Sequence, residues 1–163
     1  LVQLARHDAL TGLANRLYAN ERLREEFLRM KRTGCCYSVL MIDVDNFKRY
    51  NDQHGHLEGD VLLRNIAQLL RAQHDNKREL LARYGGEEFA MLLPGVHVEE
   101  AKRRAEEIRV KLQQDVPGNT VSIGVCGFVP TVQAEPTQLL RRADAALYRA
   151  KRGGRNRVEV DEE

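Results

Sequence analysis

The chain has no tryptophan, four prolines and 6% aromatic residues among its 163. No repeat or low-complexity stretch appears, which excludes collagen-like, proline-rich and solenoid architectures. The three cysteines, Cys35, Cys36 and Cys126, are an odd set without the paired spacing of a zinc site. A disulfide framework is therefore excluded, and they read as packing residues in a reducing compartment. No apolar run approaches the roughly 20 residues that span a bilayer, and no secretory leader is visible. Charge of one sign is also missing: 26 basic residues face 24 acidic ones, a net +2 that gives no argument for nucleic acid or membrane as partner. The basic group Arg141, Arg142, Arg149, Lys151, Arg152, Arg155 and Arg157 reads mostly as a solvated face. What is present, 42% apolar and 31% charged residues, makes one globular domain with a real core.

The periodicities predict the elements. Asn15 is a candidate N-cap for a helix to about Lys31, with Leu17, Leu23, Phe27 and Met30 on one face. Tyr37 to Ile42 is a continuous apolar run, as in a strand buried on both faces. A loop from Asn46 to Asn51 is expected next, with Asp45 capping it, and then a helix from Val61 to Arg71 with Leu62, Ile66, Leu69 and Leu70 inward. Leu80 to Tyr84 and Phe89 to Leu93 read as hairpin arms around Gly85-Gly86. A helix from Val98 to Gln113, an alternating strand through Val121, Ile123 and Val125, a helix from Pro136 to Ala150 and a short strand from Val158 to Val160 follow. The order βαββαβαβ after an N-terminal helix predicts an α/β fold, a central sheet flanked by helices. The start, residues 1–6, reads as the end of an upstream linker helix, leaving 7–160 as the functional domain.

Two segments carry the chemistry. The apolar run ends in Asp43-Val44-Asp45, and the hairpin turn carries Arg83-Tyr84-Gly85-Gly86-Glu87-Glu88-Phe89. Alone, each has a bland explanation: a capped helix start, a glycine turn. Together they bring carboxylates from two strand ends to one point, which is how a protein holds Mg²⁺ against a nucleoside triphosphate.

The strings from Asp43 to Asp60 and from Arg83 to Phe89 resemble the GGDEF family of diguanylate cyclases. His7 to Arg16, Val121 to Val125 and Ala143 to Lys151 match it too, so the resemblance covers almost the whole chain. It implies a five-stranded sheet of the nucleotidyl-cyclase and polymerase-palm type, and the condensation of two GTP into cyclic di-GMP with release of two pyrophosphates. It also implies a transient homodimer with one GTP per subunit. By the resemblance, Asp43, the Val44 carbonyl and Glu87 are metal ligands for Mg²⁺ or Mn²⁺, Glu87 standing where the family often has Asp. Asp43, Glu87 and Glu88 are the catalytic acids, Glu88 activating the attacking hydroxyl or binding metal. Lys48, Lys151 and Arg155 are matched to triphosphate contacts, and Asn51 and Asp60 to the guanine-reading pair. Phe47, Gly85 and Gly86 complete the substrate site, the glycines because a nucleotide can lie against their bare backbone. The family's Arg-x-x-Asp product-inhibition site falls on Asn76 and Glu79, and asparagine lacks arginine's bidentate grip on phosphate. The resemblance further implies a cytoplasmic domain controlled by an upstream sensory or regulatory module, which in some architectures is membrane-tethered, with neither nucleic-acid nor membrane contact from this segment. Three other readings stay open here: a non-catalytic GTP sensor, a dimerising scaffold, and a cyclase acting on one nucleotide.

Overall fold

The computed structural model describes residues 5–74 and 77–162. Of the expected linker, residues 1–4 lie outside them, as does Asn76 of the inhibition motif.

The strand read from the apolar run, β1 (Tyr37–Val44), is buried at every position because it lies in the middle of the sheet. Around it run β2 (Leu80–Arg83), β3 (Glu88–Pro94), β4 (Val121–Phe128) and β5 (Val158–Val160), in the order β2-β3-β1-β4-β5. β1 is antiparallel to both β3 and β4, β2 is antiparallel to β3, and β4–β5 is parallel. Successive side chains of a strand alternate between faces, so β1 supplies two cores. Leu40, Ile42 and Val44 pack with α3 (His56–Ala72) and α4 (Val98–Asp115) through Leu63, Ile66, Ile108 and Leu112. Tyr37, Val39 and Met41 pack with α1 (Arg16–Thr33) and α5 (Pro136–Arg152) through Leu23, Phe27, Leu139 and Leu147. The result is three layers with helices on both faces.

α1 starts as expected: the Asn15 side chain accepts from the Tyr18 N–H, and Gly34 closes the helix in a left-handed conformation. Three sequence expectations change. Leu17 is not on the inward face but 49% exposed, because Ala19, Leu23, Phe27 and Met30 already define the buried stripe. Residues 46–51 are not a loop: α2 (Phe47–His54) occupies them, an eight-residue helix whose apolar side is only Phe47 and Tyr50, partly buried, too short a pattern to reveal it. α3 begins at His56, earlier than Val61, which places Asp60 within its first turns.

Candidate active site

Asp43 is the last but one residue of β1, on the face covered by α1 and α5. Its register partner on β3 is Glu88 and on β4 is Ser122. The turn before β3 lays Glu87 beside the end of β1, where the Val44 N–H donates to the Glu87 carbonyl at 3.2 Å. From the other side α5 delivers Lys151, whose Nζ lies 2.7 Å from Asp43 Oδ2. Gly124 makes that delivery possible. A Cβ there would sit 2.1 Å from the Ala143 carbonyl and 2.3 Å from the Leu147 nitrogen, so α5 rests on bare backbone of β4 one turn before Lys151.

These elements enclose a cleft of about 300 Å³ lined by Asp43, Val44, Asp45, Asn46, Phe47, Lys48, Arg49, Glu87, Lys151 and Arg155. Every residue assigned from the sequence to metal or triphosphate is here. Burial pushes the Asp43 carboxyl up, against the pull of Lys151, with Asp45 adding to the rise. Burial also raises Glu87, and the neighbouring Asp43 raises it further. Two half-desolvated carboxylates that repel each other mark a place where a cation is favoured.

Asn51 and Asp60 stand beside this cleft rather than in its wall. They flank Gly59, whose missing side chain is essential: a Cβ there would lie 1.8 Å from Asn51 Oδ1 and 3.3 Å from the end of the Phe47 ring. Phe47 thus lines the cleft and also reaches the Gly59 backbone beside Asn51. Asn51 Oδ1 is buried against Gly59 without a hydrogen-bond partner among the described residues.

Glu88, the register partner of Asp43, stands near Asp144 and outside the cleft wall. Burial raises its pKa, and Asp144 on α5 and then Asp43 add to the shift. Burial likewise raises Asp144 itself. Asp144 was not anticipated from the sequence. Its spacing of seven from Lys151, two turns along one helix face, is the signal that points to it. Gly85 and Gly86 lie outside the cleft wall. Neither adopts a left-handed φ, so the turn does not need glycine for its backbone. Nothing lies near a Cβ placed on Gly86, whereas one on Gly85 would crowd the Glu88 carboxylate at 3.3 Å. The turn is held from behind: Arg83 donates to the Gly86 carbonyl at 2.8 and 3.1 Å and to the Asp8 carboxylate at 3.2 Å.

Asp45 does not cap α2, as the sequence suggested. Asn46 occupies the cap position with φ +55 and no side-chain bond. Asp45 accepts instead from Ser122 Oγ at 2.6 Å, Thr120 Oγ1 at 2.7 Å and the Asn156 N–H at 3.0 Å. Glu79 is also engaged: Arg104 of α4 donates to both its oxygens at 2.8 Å, in a buried pair.

A five-stranded sheet of this order, with acids at the ends of its two central strands and cations closing over them, is the palm-like fold of nucleotidyl cyclases. Residues 5–157 match the family described as Diguanylate cyclase, GGDEF domain, and the chain belongs to that family. It is 40% identical to diguanylate cyclase DgcP of Pseudomonas aeruginosa over 97% of its own length, and spans about a quarter (24%) of that relative. In three dimensions it is similar to the GGDEF domain of DgcB from Caulobacter crescentus in complex with c-di-GMP. There the TM-score is 0.91 at 34% identity, covering 100% of this chain and 97% of that one. It is also similar to the active GGEEF domain of a diguanylate cyclase from Vibrio cholerae, with TM-score 0.86, 35% identity and coverage of 93% and 99%. That domain's name carries the same five letters as Gly85 to Phe89 here. No helix among the described residues is long and apolar enough to cross a membrane.

Proposed function

We propose that this domain is a diguanylate cyclase that condenses two GTP into cyclic di-GMP and two pyrophosphates, across a two-fold axis between two copies. The observation that carries the reading is the shared cleft. Asp43 comes from the end of β1, Glu87 from the turn before β3, Lys151 from the last turn of α5 and Arg155 from the turn after it, to meet Lys48 on α2 in one place.

Lys48, Lys151 and Arg155 bind the triphosphate, helped by the N–H groups at the start of α2. Asp43, Glu87 and the Val44 carbonyl would hold Mg²⁺ or Mn²⁺. The donor set fits such an ion: two carboxylates and a backbone carbonyl are hard oxygen ligands in one cleft, and Mg²⁺ takes one or two carboxylates with phosphate oxygens. When bound, the ion supplies charge neutralisation at the phosphates. Asn51 and Asp60 read guanine: Asn51 Oδ1 accepts from its 2-amine, and the Asp60 carboxylate from N1–H, donors that adenine's edge does not offer together. Phe47 lines the wall between base and phosphates. Glu88 takes the proton of the 3′-hydroxyl of the partner's nucleotide. Burial and Asp144 raise its proton affinity, which suits a base in a desolvated site. The 3′-oxygen then bonds to the α-phosphorus as the bond to pyrophosphate breaks, and the two-fold axis repeats the step. Glu79 is committed to Arg104, so the position matched to the inhibition motif is a structural ion pair, and product control through it is not expected. Control then falls to an upstream module acting on the encounter of two copies in the cytoplasm.

Asp43→Ala and Glu87→Ala test the reading. Each is expected to lower product formation from GTP and Mg²⁺ by on the order of 10² to 10⁴, with the melting curve retained. The mass of the product separates the dinucleotide from a singly cyclised nucleotide. Near wild-type turnover in either variant, or a mononucleotide product, overturns the assignment.

A further inference from the structure

The turn after α5 holds two consecutive non-glycine residues in the left-handed region, Arg155 at φ +65 and Asn156 at φ +46. This conformation is uncommon for a side chain like arginine's and persists only where surroundings impose it. Here two arms impose it. On one side Asp45, itself buried and fixed by Ser122 and Thr120, accepts the Asn156 N–H at 3.0 Å. On the other, Arg109 of α4 donates to Asn156 Oδ1 at 2.9 Å. The turn is also sewn to the ends of its neighbours, with the Arg155 N–H on the Ala150 carbonyl and the Ile123 N–H on the Arg157 carbonyl, both at 3.0 Å. Arg155 then enters the cleft wall beside Asp43.

We propose that Asn156, gripped between Asp45 and Arg109, is the positioning residue that aims Arg155 at the triphosphate, so that a helix on the opposite face of the sheet from α5 sets the strength of phosphate binding. The inference rests on Arg155 being a triphosphate contact. Arg109 is not part of the cleft wall, and it also donates to Glu106 on its own helix. Its effect on substrate must therefore pass through Asn156.

Two variants remove the Arg109–Asn156 bond from its two ends. Arg109→Ala leaves the turn's own residues intact. Asn156→Gly keeps the left-handed backbone and the N–H to Asp45 but loses the side-chain oxygen. Both are expected to weaken GTP binding, measured by calorimetry with Mg²⁺, by about 5- to 10-fold, the scale of one loosened charge-assisted contact. Turnover at saturating GTP is expected to change less than about 2-fold, because the acids and Lys151 are untouched. In an Arg155→Ala background neither change is expected to weaken binding further, since the group they aim is gone. Unchanged GTP affinity in Asn156→Gly, or losses that multiply with that of Arg155→Ala, overturns the proposal while leaving the cyclase reading in place. Unchanged affinity in Arg155→Ala itself overturns both the proposal and the triphosphate role of Arg155.

Discussion

Asp8 gathers three donors on one carboxylate: the Thr11 amide at 2.8 Å, the Thr11 hydroxyl at 2.7 Å and the Arg83 guanidinium at 3.2 Å. Burial alone would raise its pKa, but the Thr11 bonds and then Arg83 outweigh burial and hold it below the ordinary value. A depressed folded pKa means that this stabilisation is complete above the unfolded value, about 4, and is lost as pH falls through the folded one. Asp8→Asn is therefore expected to cost about 1 kcal/mol at pH 7, or roughly 3 °C in Tm, with the gap to wild type closing as pH nears 3. Melting curves across that range check it, and a gap that widens in acid contradicts the assignment. Asn51 offers a second residue-scale outcome. Together with the Asp60 carboxylate, its unpaired acceptor suits a purine that presents a 2-amine beside N1–H, which adenine lacks, so GTP is expected to bind more tightly than ATP by on the order of 10², and Asn51→Ala to erase most of that preference. Equal affinity for the two nucleotides in the wild-type chain would remove the guanine-reading role.

At the scale of elements, what the sequence disclosed follows the buried stripe. β1, α3, α4 and α5 bury whole faces, and their periods were readable. α2 buries nothing completely and offers only Phe47 and Tyr50 as an apolar pair, though its residues Phe47 and Lys48 were recognisable from the string around Asp43. The site divides in the same way. Asp43, Glu87, Lys151 and Arg155 stand in local strings whose pattern survives without a structure. The partners of Asp45 were hidden because Thr120, Ser122 and Asn156 lie 75 to 111 positions away along the chain. Asp144 was hidden among the polar positions of an amphipathic helix, where tertiary packing alone brings it near Glu88 of β3 and Arg16 of α1. The commitment of Glu79 to Arg104, 25 positions on, was equally invisible. Pairs made by tertiary contact alone have no local signature, and this domain places several of its supporting residues in such pairs.

For the whole molecule the constraint is stoichiometry. On the proposed reading one cleft takes one nucleotide, while the product joins two by two equivalent bonds, so a productive species needs two loaded copies facing each other. Specific activity is expected to rise with protein concentration, and a parallel dimeric coiled coil fused before Leu1 is expected to raise it at low concentration. Gel filtration with light scattering, run beside a dilution series of the assay, checks this. Constant specific activity down to nanomolar enzyme in a species shown to be monomeric would exclude the two-copy mechanism.

The bare contact between α5 and Gly124 makes the helix a ruler whose zero mark is on the sheet. Lys151 is measured from that mark, four residues past Leu147, and not from the segment 129–135 that leads into the helix. Each residue of helix adds about 1.5 Å of rise and about 100° of rotation. One alanine inserted between Leu147 and Lys151 is thus expected to swing the ammonium off Asp43 and abolish turnover, whereas two glycines inserted after Val132, itself 88% exposed, are expected to leave activity within about 2-fold. Assays of the two insertions at matched concentration distinguish a seat at Gly124 from one set by the incoming loop. The entry to this helix is then free to change length in evolution, and the stretch from seat to lysine is not.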